Sequence, residues 1–131
     1  MSETRKFPQS RFAPPPGATE ILLVRHGEVL SNRELRYVGS RDEPLEDSGV
    51  QQAERLATAL ASLPVQAVYS SPLSRARETG RRIAEARDVP LRLEARLREQ
   101  SFGEWEGLSR AEVLASDAER LLRWEADLAT S

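Results

Sequence analysis

The chain's single histidine, His26, lies in Arg25-His26-Gly27-Glu28, directly after the apolar run Ile21-Leu22-Leu23-Val24. An imidazole can act as nucleophile, proton shuttle or metal ligand near neutral pH. A zinc site is disfavoured, because the sequence holds no second histidine and no cysteine to complete a ligand set. A serine nucleophile paired with His26 finds no Gly-x-Ser-x-Gly setting. Covalent or acid–base chemistry at His26 stays open, beside the plainer role of a ring that only hydrogen-bonds locally at a strand end. A second group of candidates lies in Ser70-Ser71-Pro72-Leu73-Ser74-Arg75-Ala76-Arg77-Glu78-Thr79. A helix start there favours anions, and Arg75 one turn in offers a bidentate fork. The alternative for Arg75 and Arg77 is an exposed helix face of little energetic consequence. A third stretch, residues 97–107, supplies carboxylates. Glu99 comes first there, as a candidate general acid or simply a solvated loop residue. Phosphate is the ligand that arginine-bearing loops around one histidine suggest.

These residues need elements to position them. The run 21–24 suits a strand buried on both faces of a parallel sheet, with Gly27 turning the chain off the sheet through its backbone freedom. Ligands of open α/β sheets bind past the carboxyl ends of strands, where His26 falls. Residues 29–46 read as a polar loop. Asp47-Ser48-Gly49 opens a helix that ends near Ser62, with Val50, Ala53, Leu56, Ala57, Leu60 and Leu63 on one face and Pro64 as the stop. Residues 67–69 form a second short strand. Ser70-Ser71-Pro72 supplies a serine cap and a proline at the first helical position of a helix running to about Ala86. Alternation of Leu91, Leu93, Ala95 and Leu97 predicts a third strand. A Gly-rich turn over 102–107 leads to Ser109, the cap of a last helix carrying Val113, Leu121 and Trp124. The order strand–helix three times over predicts a layered α/β domain with a partly parallel sheet.

Composition narrows the function. The 131 residues carry a formal net charge of −2, so no global field draws the chain to nucleic acid or to an anionic membrane. Without cysteine, disulfides and thiol chemistry are excluded. No apolar run approaches the ~20 residues that span a bilayer, and the N-terminus lacks a secretory apolar core, so a cytoplasmic protein is expected. Residues 1–19, with Pro8, Pro14, Pro15, Pro16 and Gly17, read as a disordered arm before a domain over 20–131.

Taken together, these blocks resemble the histidine phosphatase superfamily, also called phosphoglycerate mutase-like. The resemblance rests on Arg25-His26-Gly27-Glu28 with Asn32, on Gly39, Asp42, Pro44, Leu45, Gly49 and Gln52-Ala53, and on Ser70-Ser71-Pro72-Leu73 with Arg75, Ala76 and Thr79. Leu97, Glu99 and Phe102-Gly103-Glu104-Trp105-Glu106-Gly107 complete it. It implies a three-layer α/β/α fold and a phosphorylated small-molecule substrate. His26 would be the nucleophile that becomes phosphohistidine. Arg25, Asn32 and Arg75 would hold the phosphoryl oxygens, and Glu99 would be the general acid. No cofactor and no metal are implied, because the arginines supply the positive charge. The stretch 102–107 is closer to the phosphatase branch, including α-ribazole phosphatase-like enzymes, than to the mutases.

Members of that family carry a second catalytic histidine in a later His-Gly motif, which this sequence lacks. The resemblance therefore implies a C-terminally truncated domain whose missing strand belongs between those of His26 and Tyr69. Loss of one donor to the transferred group costs on the order of 10²–10³ in rate. An unpaired buried backbone group costs about 1–3 kcal/mol. The expectation is a weakened phosphatase, marginally stable or completed by an oligomer or another chain. A non-catalytic remnant or a phospho-ligand-binding module is the alternative, and a phosphoglycerate mutase is less favoured.

Overall fold

Helix α2 (Asp47–Leu60) forms where the apolar spacing predicts it and buries Ala53, Ala57 and Leu60. In the computed structural model, which describes residues 15–130, these side chains meet Ile83 of helix α3 (Ser74–Arg87). Leu56, Leu63 and Val68 close that cluster. α3 begins after Leu73, two residues later than the Ser-Pro signal suggests. The reason is a distant cap: the Ser74 N–H donates to the Asp42 carboxylate at 2.7 Å, while Ser71 Oγ takes only the Leu73 N–H. At the other end Asp88 adopts the left-handed conformation (φ 52°), one of the few non-glycine residue types that does so readily.

Strands β1 (Val68–Ser70) and β2 (Leu91–Leu93) pair in parallel, Val68 with Leu91 and Ser70 with Leu93, and α3 is the crossover packed on both. Two of the expected strands differ. The run 21–24 joins no sheet, and Ile21, Leu22, Leu23 and Val24 are 75, 44, 94 and 42% exposed. An apolar run becomes a buried strand only when a neighbouring edge pairs with it, and the sheet of the described residues ends at β1 and β2. The third strand stops at Leu93, because the Glu94 side chain accepts the Arg96 N–H and starts a 3₁₀ turn, Ala95–Leu97. The loop 29–46 in turn contains a short helix, α1 (Leu30–Arg33).

A second core lies under helix α4 (Arg110–Ala129), which starts as expected at Ser109, in a reciprocal cap with Glu112. Val113 and Leu121 bury against Trp105, with Tyr37, Phe102, Leu108 and Trp124 packed around them. Asp117 departs from helical angles inside α4, and its carboxylate accepts the Trp105 indole N–H at 3.2 Å. That side chain marks a kink with an identifiable cause. Two backbone bonds, Tyr37 N–H to Leu108 O (2.9 Å) and Gly107 N–H to Tyr37 O (2.7 Å), fasten this end to the loop after α1. Among the described residues no helix is long and apolar enough to cross a membrane. The proposed disordered arm falls mostly outside the described residues; its residues 15–19 are exposed.

Candidate active site

His26 lies where the segment after Val24 is fastened to two helices. Its ring Nδ1–H donates to the Gly27 carbonyl at 2.6 Å. A carbonyl only accepts, so in the neutral ring the lone pair sits on Nε2. The Gly27 N–H donates to Thr79 Oγ1 of α3 at 3.0 Å, and that hydroxyl donates onward to the Arg75 carbonyl at 2.8 Å. The Glu28 N–H donates to Gln52 Oε1 of α2 at 2.8 Å, and the Glu28 carboxylate accepts the Ser48 hydroxyl at 2.5 Å. Gly27 does not have the positive φ expected of a turn glycine. What requires glycine is closeness, since its main chain packs on that of Gly49.

Arg75 is 3% exposed, unlike an ordinary surface arginine. Its Nη1 donates to the Arg41 carbonyl at 2.6 Å and its Nη2 to the Gly39 carbonyl at 2.7 Å. The guanidinium has five N–H groups, so several stay available for an anion. The loop carrying those carbonyls is held in turn by Glu106. Its Oε1 accepts the Ser40 N–H and hydroxyl, both at 2.8 Å, and the Phe102 N–H at 3.1 Å. Burial alone would raise the Glu106 pKa, but hydrogen bonds from Ser40, Phe102 and Ser101 outweigh it and hold the carboxyl below its usual range.

The His26 pKa lies below the ordinary histidine value. Burial is the largest cause, opposed by the bond to the Gly27 carbonyl. The Arg75 and Arg25 charges push it further down, and the Glu99 carboxylate pulls it up. Arg25, Arg75 and Glu99 thus all act on the ring electrostatically, and the net depression favours its neutral form. Arg25, His26 and Asn32 line one depression of about 480 Å³, together with Leu35, Arg36 and Gln52. Asn32 Oδ1 also accepts the Val29 N–H at 3.2 Å. Arg75 and Glu99 do not line this depression. Glu99 is exposed and accepts the N–H of its neighbour Gln100. Thr79, Gln52, Asp42 and Glu106 enter the sequence reading only as residues that carry the family resemblance, with no role in the site assigned to them. Thr79 alone is also tied to a candidate by helical spacing, lying four residues after Arg75 on one helix face. Among the described residues no group of three or more His, Asp and Glu could hold a metal ion.

A family model described as histidine phosphatase superfamily (branch 1) matches residues 21–131. The chain is 40% identical over 107 residues to an adenosylcobalamin/α-ribazole phosphatase of Salmonella typhimurium, covering 82% of this chain and 53% of that protein. It is 33% identical over 107 residues to a glucosyl-3-phosphoglycerate phosphatase of Mycolicibacterium vanbaalenii, again 82% of this chain and 48% of that one. The solved mycobacterial glucosyl-3-phosphoglycerate phosphatase in complex with VO3 superposes with a TM-score of 0.69 at 33% identity, over 74% of this chain and 47% of that one. The chain thus spans about half the length of the relatives it matches. With its α/β fold, its Arg25-His26-Gly27 site and a family match over most of its length, this chain belongs to the histidine phosphatase superfamily.

Proposed function

We propose that the chain hydrolyses phosphate monoesters of small molecules through a phosphohistidine at His26. The observation that carries this is the ring's hydrogen bond, with Nδ1–H spent on the Gly27 carbonyl so that the lone pair falls on Nε2, beside the Arg25 and Arg75 charges. In the first step Nε2 attacks phosphorus, the ester P–O bond breaks, and Glu99 gives its proton to the departing alkoxide. Arg25 and Arg75 stabilise the charge on the equatorial oxygens, and Asn32 adds a neutral donor. In the second step water attacks the phosphorus, Glu99 takes its proton, the N–P bond breaks, and phosphate leaves. The relatives named above are phosphatases of an α-ribazole and of a glucosyl-phosphoglycerate, which supports a phosphorylated metabolite of that size as substrate.

A second reading, phosphate binding without turnover, draws on Arg75. Two of its donors are already committed to carbonyls, and Glu99 stands exposed rather than in the depression. The deciding measurement is phosphate release from an aryl phosphate by the purified chain, beside His26→Ala. Release that disappears in the variant supports hydrolysis. Release no greater than the variant's overturns it, and titration with inorganic phosphate then tests the binding reading.

A further inference from the structure

Glycine has the widest backbone freedom of any residue, so the direction of the Gly27 carbonyl needs an external restraint. The structure supplies one on each side. The peptide before Gly27 is held by its N–H on Thr79 Oγ1, from α3. The peptide after it contains both the Gly27 carbonyl and the Glu28 N–H, and that N–H is held by Gln52 Oε1, from α2. Thr79 is 3% exposed and its hydroxyl proton is already committed to the Arg75 carbonyl, so its oxygen has an accepting role toward Gly27. Gln52 lies at the surface, and its amide oxygen is identified by the N–H it accepts.

We propose that Thr79 and Gln52 are paired positioning residues whose side chains clamp the two peptides flanking Gly27, aim its carbonyl at His26 Nδ1, and so fix the His26 tautomer. The consequence for turnover rests on the phosphohistidine reading; the tautomer itself does not. With the clamps in place Nε2 keeps its lone pair. Without them the ring is free to carry its proton on Nε2 instead, and that nitrogen cannot attack phosphorus. The same Thr79 hydroxyl reaches the Arg75 main chain, so one side chain ties the registers of the histidine and the buried arginine together.

Because His26 is the only histidine, the imidazole ¹⁵N signals of the uniformly labelled chain report on it without assignment ambiguity. The spectra are recorded without substrate, at a pH above the ring's titration. The expected result is protonation at Nδ1 in the parent chain and in Thr79→Ser, which keeps the hydroxyl. Thr79→Val and Gln52→Met should each show a mixture with the Nε2–H tautomer. Gln52 is exposed, so its variant folds even where a change at buried Thr79 does not. An Nε2–H ring in the parent chain overturns the proposal. So does a pure Nδ1–H ring in either loss variant, or a Thr79→Ser ring that behaves like Thr79→Val. In steady-state assays the loss variants should lower kcat by about 10²-fold with KM little changed, as expected of a misaimed nucleophile. A parent chain with no turnover sinks the hydrolysis reading and leaves the tautomer test intact.

Discussion

The main chain of Gly27 rests directly on that of Gly49, so that a β-carbon on Gly27 would lie 2.8 Å from the Gly49 carbonyl carbon. The reverse holds as well: a β-carbon on Gly49 would lie 2.7 Å from the Glu28 nitrogen. Gly49 occupies the first turn of α2, where helix propensity alone favours alanine by about 1 kcal/mol. The contact is with backbone, which cannot swing aside, and overpacking of this kind costs about 1–3 kcal/mol. The clash wins. Gly49→Ala should lower the urea unfolding midpoint; an unchanged or raised midpoint would show that α2 can slide away from the histidine loop.

His26 makes the fold sensitive to mild acid. Its folded pKa is depressed, while in the unfolded chain the ring takes up a proton at about 6.5. Below that pH the unfolded state binds the proton more readily, so stability present at higher pH is lost as the pH falls toward the folded pKa. His26→Gln has no such loss. Unfolding midpoints of the two proteins at about pH 7.5 and about pH 5 should therefore show the parent chain losing more on acidification. A parent chain that loses less would mean that Glu99 holds the ring as a cation. The same depression predicts an acid limb of kcat/KM with an apparent pKa below the free-histidine value.

Leu23 separates burial from apolarity. It belongs to a run that reads as a buried strand, yet it is 94% exposed. Leu23→Lys should leave the unfolding free energy within about 0.5 kcal/mol of the parent's, whereas Leu121→Ala, at a site with 0% exposure, should cost about 2–5 kcal/mol. Because an exposed apolar strand-like segment invites pairing between chains, the lysine should also reduce any self-association seen by sedimentation. Equal losses from the two substitutions would restore a buried role for the run.

The contrast shows what a linear sequence can convey. The apolar stripe of α2 and the Ser109–Glu112 cap of α4 are local patterns, and both helices form where those patterns lie. Arg25, His26 and Arg75 are marked as candidates in the sequence by their places after apolar runs and by the motifs that carry the family resemblance. Which residues their supports meet is not marked, even where those supports stand in the same motifs. Thr79 meets Gly27 across 52 positions, Asp42 meets Ser74 across 32, and Glu106 meets Ser40 across 66. No periodicity encodes such pairs. The run 21–24 reads as a strand because its own residues satisfy the rule for one, yet it joins no sheet, since the neighbour that would complete it is not among the described elements.

Glu106 offers the sharpest test of how far the support of the site extends. Its carboxylate collects the Ser40 and Phe102 N–H groups and thereby holds the loop whose Gly39 and Arg41 carbonyls seat Arg75. Glu106→Gln keeps the shape but weakens charge-assisted bonds, so a loss on the order of 1 kcal/mol is expected at neutral pH. The folded pKa is depressed, so this stability is present above the unfolded carboxyl pKa and is lost as pH falls through the folded one. The difference between parent and variant should shrink below about pH 4, as the parent's carboxyl protonates. A gap that persists in acid would assign the effect to packing. In the same variant phosphate binding should weaken, because a looser 39–41 loop no longer fixes the Arg75 fork.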